Sequence, residues 1–170
     1  MSCASGSAFF RQLDTVMVDS EDTDLHLVPI TVPLIPWSWW KVGKRLVFEV
    51  PAKGNLQSDM TIGIRLRDNV FNLNFVIGSL VILAGTELNS FRLVCDVSEI
   101  DNSTVTLKCW IAYPFPIGLG TPIFSEVSFN TSFKPLEVQL FWQNADPVLN
   151  EITFQNIQFT GLGKSSPLVC

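Results

Sequence analysis

Residues 91–111 read FRLVCDVSEIDNSTVTLKCWI, and they decide the fold class. Phe91, Leu93, Cys95 and Val97 fall at every second position, the spacing that puts side chains on one face of a pleated strand. A polar stretch, 99–103, then supplies residues suited to a turn. Val105, Leu107, Cys109 and Ile111 resume the alternation beyond it. Two alternating runs about a short polar turn read as an antiparallel β-hairpin.

The same period extends outward in both directions. Upstream, Leu46, Phe48 and Val50 form an inward row with Glu49 opposite. Met60, Ile62, Ile64 and Leu66 form the next, with Thr61, Arg65 and Arg67 outward. Leu73, Phe75 and Ile77 open an apolar run that ends at Ala84. Downstream, 113–122 is a proline- and glycine-rich loop, and 123–129 reads as a strand. Leu136, Val138, Leu140 and Trp142 alternate with Glu137, Gln139 and Phe141. After a turn over 144–150, the phase slips from Ile152 and Phe154 to Ile157 and Phe159, as one extra residue in a bulge would require.

The N-terminal third is less regular. Residues 13–18 read as an edge strand, and Asp19, Glu21, Asp22 and Asp24 as a solvated loop. Pro29 and Pro33 confine 25–34 to an edge or a cover, because proline donates no ladder hydrogen bond. No twelve-residue window carries a convincing helical period. The prediction is one all-β domain over 1–170, with flexible ends at about 1–10 and 161–170. Eight or nine strands build an antiparallel jelly-roll sandwich or barrel. An immunoglobulin-like sandwich ranks behind it, for want of the Cys–Trp–Cys pattern and the tyrosine corner.

Composition narrows the function. With 13 Phe and 5 Trp but a single Tyr, and 47% hydrophobic residues, the chain is equipped for a thick core between sheets. A net charge of −5 with no basic cluster argues against nucleic acid as a partner. No apolar signal-peptide core follows Met1, and the run 75–84 is too short to cross a bilayer as a helix. The expectation is cytoplasmic synthesis without export and no membrane insertion.

Catalysis finds little to work with. His26 is the single histidine, set between Leu25 and Leu27, with no serine or cysteine beside it. Cys3, Cys95, Cys109 and Cys170 show no metal-ligand spacing. Glu49, Glu126, Glu137 and Glu151 fall on outward faces, and Asp59, Asp68 and Asp146 in loops, where solvated acids belong. No catalytic residue, metal or cofactor is therefore predicted. Cys95 and Cys109 lie at equal distances from Asn102 and would face each other across the hairpin. They are either buried free thiols, which the lack of export favours, or a cross-strand disulfide.

Recognition has better candidates. Trp37, Trp39 and Trp40 crowd together after Pro36. Strand-like alternation would put Trp37 and Trp39 on one side and Trp40 on the other. The cluster either plugs the end of the sandwich or offers a ligand or interface surface, with Tyr113 and Phe115 contributing from the later loop. Val94, Trp110 and Phe141 lie opposite the core rows of their strands. They are the predicted oligomer face, since monomers rarely leave such patches bare.

A resemblance adds to this reading. The segment from Leu34-Ile35-Pro36 through Val42-Gly43-Lys44-Arg45-Leu46 to Phe48 resembles the opening of jelly-roll domains in viral spike, fibre-head and appendage proteins. There, a proline-marked edge precedes a V-G-x-x-L turn into a strand. The layout of 72–84, 91–111, 136–142 and 151–159 is similar to the same group, so the likeness covers roughly 34–159. It implies a noncatalytic virion surface or structural protein, commonly a trimer, with loops that hold a receptor or glycan. The missing basic arm fits a spike or fibre head better than a shell that contacts the genome. A nonviral carbohydrate-binding sandwich and a cytokine-like trimeric jelly roll stand as alternatives.

Overall fold

In the computed structural model the chain runs as β1 (Gly6–Gln12), β2 (Val16–Ser20), β3 (His26–Leu27), β4 (Leu34–Ile35), a 3-10 turn (Trp37–Trp39), β5 (Arg45–Asn55), β6 (Met60–Asp68), β7 (Leu73–Ile82), β8 (Glu87–Asp101), β9 (Thr104–Ala112), β10 (Ile123–Asn130), β11 (Leu136–Asn144), β12 (Asn150–Phe154) and β13 (Ile157–Leu162). The structure describes residues 6–12, 15–30, 34–85, 87–112, 123–130 and 134–163. An eight-stranded sheet has the order β1-β13-β5-β8-β9-β10, with β12 joining β2 to β5. A five-stranded sheet has the order β3-β11-β6-β7, and β4 also pairs with β11. Each ladder in both sheets is antiparallel.

The period-two rows meet between the sheets. Leu46, Phe48 and Val50, then Leu93, Cys95 and Val97, then Val105, Leu107, Cys109 and Ile111 line one inner face. Ile62, Ile64, Leu66, Leu136, Val138, Leu140 and Trp142 line the other, and none of these side chains is more than 5% exposed. They form a single hydrophobic cluster. Each large apolar side chain so buried contributes about 1.5–3 kcal/mol relative to exposure.

The architecture is therefore an all-β antiparallel sandwich of two sheets. Among the described residues the sheets share no ladder, so it is not a closed barrel. The expectation of eight or nine strands undercounts for two reasons. β3 and β4 hold two residues each, too few to show a period. The slip near Phe154 does insert one extra residue opposite β5, and it also divides the run into two strands, β12 and β13. Asn156 turns the chain at φ 49°, and β12 and β13 then pair with successive parts of β5. The N-terminal stretch expected to be a free end enters a strand at Gly6, which pairs with Leu162. An open sheet edge recruits backbone without needing a side-chain pattern.

The described parts of 25–34 do lie along an edge. Leu27 pairs with Phe141 through β3, and Leu34 with Glu137 through β4, so both cover the free side of β11. In β7 the register shifts between Ile64 and Arg65 of its partner, which places the extra residue at Ile77. Its apolar phase changes there. Ile77, Leu80 and Ile82 turn inward, while Val76 and Val81 stay 45% and 51% exposed.

Candidate functional site

The tryptophans occupy a 3-10 turn, so strand alternation does not apply to them. Trp37 and Trp39 are half-buried against the core, and Trp40 is fully buried. Trp40 stands edge-on to Trp39 at 5.3 Å and to Phe129 at 5.5 Å, and Phe129 leans on Phe75 at 5.3 Å. This aromatic chain lies where β7 meets β10, whose Ser125 Oγ donates to the Ile77 carbonyl at 3.4 Å. Tyr113 and Phe115 lie outside the described residues.

Of the expected oligomer face, Val94 and Phe141 are buried within the chain and Trp110 is half-buried. Register aligns Thr160, Val47, Val94 and Trp110 across the outer side of the eight-stranded sheet. Val47 and Val94 are each 6% exposed, and charged rows flank them. Arg45 grips Asp96 with Nε and Nη2 at 2.6 and 2.9 Å while its guanidinium lies 5.3 Å from the Trp110 ring centroid. Phe141, on the other sheet, is 4% exposed. Its ring covers the place where Gly63 lacks a side chain, and any Cβ there would strike the ring and the Gly78 carbonyl. Val94 and Phe141 are thus buried within the chain, while Trp110 stays partly open beneath Arg45. Replacing Arg45 with alanine should lower stability by about 1 kcal/mol, the sum of a bidentate surface pair and a cation–π contact. Urea unfolding checks this, and an unchanged midpoint would show that neither contact stabilises the sheet.

Cys95 and Cys109 sit opposite each other in β8 and β9, buried, and are joined as a disulfide. A register shift between Val97 and Glu99 creates that pairing.

His26 has neighbours that its sequence position does not disclose. Its Nε2 meets Asp22 Oδ1 at 2.6 Å and Ser20 Oγ at 3.2 Å, and its ring rests 5.0 Å from that of Trp142. Serine, histidine and aspartate are together, yet both partners meet the same nitrogen. A nucleophilic triad needs the acid on one ring nitrogen and the hydroxyl on the other. The arrangement is a clasp between β2, its loop and β3. The hydrogen bond from His26 holds the Asp22 carboxyl below its ordinary value.

The outer face of the five-stranded sheet carries a longer polar array. Arg65 Nε donates to Gln139 Oε1 at 2.7 Å, and Gln139 Nε2 to Glu137 Oε2 at 3.5 Å. Asn69 Nδ2 donates to Glu137 Oε1. Arg67 donates through Nε to Asn69 Oδ1 at 3.0 Å and through Nη2 to Asn72 Oδ1 at 2.7 Å. The turn between β6 and β7 fixes one end of this array. Asp68 is not a solvated acid: it is 1% exposed, and its Oδ1 accepts from the amides of Val70 and Phe71 at 2.8 and 3.3 Å. Asn72 closes the turn at φ 54°, a left-handed backbone that asparagine tolerates. The sequence marks Arg65 and Arg67, and Glu137 and Gln139, as outward pairs. It does not reveal that β6 lies beside β11.

Among the described residues, no group of three or more His, Cys, Asp or Glu side chains could hold a metal ion. No helix among them is long and apolar enough to cross a membrane.

No family model matches the chain, and no curated protein matches it. Two solved structures are similar in outline. One is a functionally unknown protein from Saccharomyces cerevisiae, 12% identical, with a TM-score of 0.46 over 97% of this chain and 98% of that one. The other is the CBM2 module of the evolved Dit of Lactobacillus casei BL23 phage J-1, 10% identical, with a TM-score of 0.45 over 95% of this chain and 98% of that one. Likenesses this distant carry no argument about function.

Proposed function

We propose that the chain is a noncatalytic surface module that assembles with copies of itself and recognises an external ligand. In its finer form it is a virion spike or fibre-head domain of jelly-roll type, assembled as a trimer. The observation that supports assembly is where apolar surface is left bare. Among the described residues twelve large apolar side chains are exposed, and six of them belong to one turn, one edge strand and the residue after it: Val70, Phe71, Leu73, Val76, Val81 and Leu83. Residues 69–86 contain no charge and no proline. Monomers blunt their edge strands with lysine, proline or bulges. Here one bulge and the single Ser125 bond are the only such devices seen on β7.

Light scattering at low micromolar concentration tests this reading. The expected mass is close to three times 18.9 kDa, and Val81→Glu should reduce it to that of one chain. A wild-type protein that runs as a monomer overturns the assembly reading. A nonviral carbohydrate-binding sandwich is the second reading, favoured by the amide and guanidinium array beside the exposed Phe71.

A further inference from the structure

The polar array on the five-stranded sheet is unbalanced in both charge and hydrogen-bond capacity. Its outer side holds two guanidinium groups and one carboxylate, Glu137, with the Asp68 carboxylate buried in the turn, in a chain whose net charge is −5. A guanidinium has five N–H donors. Among the described residues Arg65 uses only Nε, toward Gln139, while Arg67 spends two donors on Asn69 and Asn72. Each Glu137 oxygen already takes an amide, and the open carboxylate oxygen at the turn, Asp68 Oδ2, is buried. The guanidinium donors left over at the surface suit an anion rich in oxygen. Arg65 is also held below its ordinary pKa, first by burial and then by the charge of Arg67. An anion between the two arginines would offset the second of these effects.

The flank is apolar. Val76 stands opposite Arg65 in register, and Phe71, on the turn that carries Asn69 and Asn72, is 64% exposed. The array is rigid before any ligand arrives, because Asp68 and Asn72 fix the turn and Gln139 fixes Arg65. Such preorganisation spares the ordering cost of binding.

We infer that Arg65, Arg67, Asn69, Asn72 and Phe71 form a binding site for a carboxylate-bearing sugar of the uronic- or sialic-acid class. The two guanidiniums take the carboxylate, the asparagine amides meet ring hydroxyls, and Phe71 stacks on the apolar face of the pyranose. This deepens the recognition half of the proposed function and does not depend on assembly.

The test is a titration of the ¹⁵N-labelled protein with glucuronate, N-acetylneuraminate, glucose and acetate, read at the arginine Nε–H and asparagine side-chain signals. The acidic sugars should give saturable shifts at Arg65, Arg67, Asn69 and Asn72, with glucose at least tenfold weaker. Arg65→Gln should weaken the acidic sugars tenfold or more, and so should Arg67→Gln, whose position is less enclosed by the sheet. Phe71→Ala should weaken the sugars and leave acetate unchanged. Absence of saturable shifts overturns the site. Equal response to glucose, or indifference to both arginine variants, does the same. Acetate binding as tightly as the sugars would overturn the sugar assignment. Mass measured on the same samples separates this outcome from assembly: a monomer that binds still supports the site, and an assembled protein that does not bind refutes it alone.

Discussion

Asn150→Leu should cost the protein about 3–5 kcal/mol, since each buried group left unpaired costs about 1–3 kcal/mol. Asn150 is completely buried. Its Oδ1 accepts from the amides of Gln57 and Ser58 at 2.8 and 3.3 Å. Its Nδ2 donates to the Ser58 carbonyl, to Ser58 Oγ and to Asn144 Oδ1 at 3.3, 3.0 and 2.9 Å. Leucine has a similar volume, so packing is largely kept while two backbone amides, the Ser58 carbonyl and hydroxyl and the Asn144 side-chain carbonyl each lose a partner. The effect should reach further than the site itself. Asn144 in turn donates to the carbonyls of Ser20 and Asp22 at 3.0 and 3.1 Å, so one asparagine pair ties three loops together at this end of the sandwich. Urea unfolding followed by circular dichroism gives the number, and faster amide exchange over residues 20–24 and 57–59 should accompany it. A loss below about 1 kcal/mol would mean that water replaces the network without penalty.

Trp142→Ala should be comparably destabilising, at about 3–5 kcal/mol, because it removes the largest of the fully buried side chains and leaves a cavity. Two features make the companion variant informative. The indole Nε1 is buried without a hydrogen-bond partner, and His26 rests on the ring. Trp142→Phe keeps much of the volume and removes the orphaned N–H, so its cost should stay below about 1.5 kcal/mol. The alanine variant should also free His26 from its support and loosen its contact with Asp22, visible as movement of the histidine ring signals by NMR. If phenylalanine were as damaging as alanine, the Trp142 N–H would have a partner, such as a bound water, and the packing account would be wrong.

The covered rows of Val94 and Phe141 show how far local pattern reaches. Both residues were legible as apolar and outward, and both are outward in the structure. Whether such a residue needs a partner chain depends on what folds over it. Arg45 comes from a neighbouring strand to lie on Trp110, and Gly63 makes room for the Phe141 ring by having no side chain. The bare apolar surface lies instead on β7, where one bulge reverses the phase. The binding array was half legible: each strand declares its outward residues, and none declares its neighbour.

What the amino-acid sequence determined by itself was the longer strands and, β7 apart, the inward face of each. Leu46-Phe48-Val50, Met60 to Leu66 and Leu136 to Trp142 are buried as their alternation requires, because the pleat is a local property of two consecutive residues. What the tertiary structure decided was register and adjacency. The turn at Asn102 and Ser103 pairs Asp101 with Thr104, and that register continued would set Cys95 against Trp110. One extra residue at Ser98 brings Cys109 opposite instead. Ser20 and Asp22 meet His26, and Arg65 meets Gln139 from 74 residues away, by the same kind of long-range choice. Shifting a ladder by one residue keeps each strand's own alternation and changes all of its cross-strand partners. That is why the core could be read along the chain, while the sites had to wait for the fold.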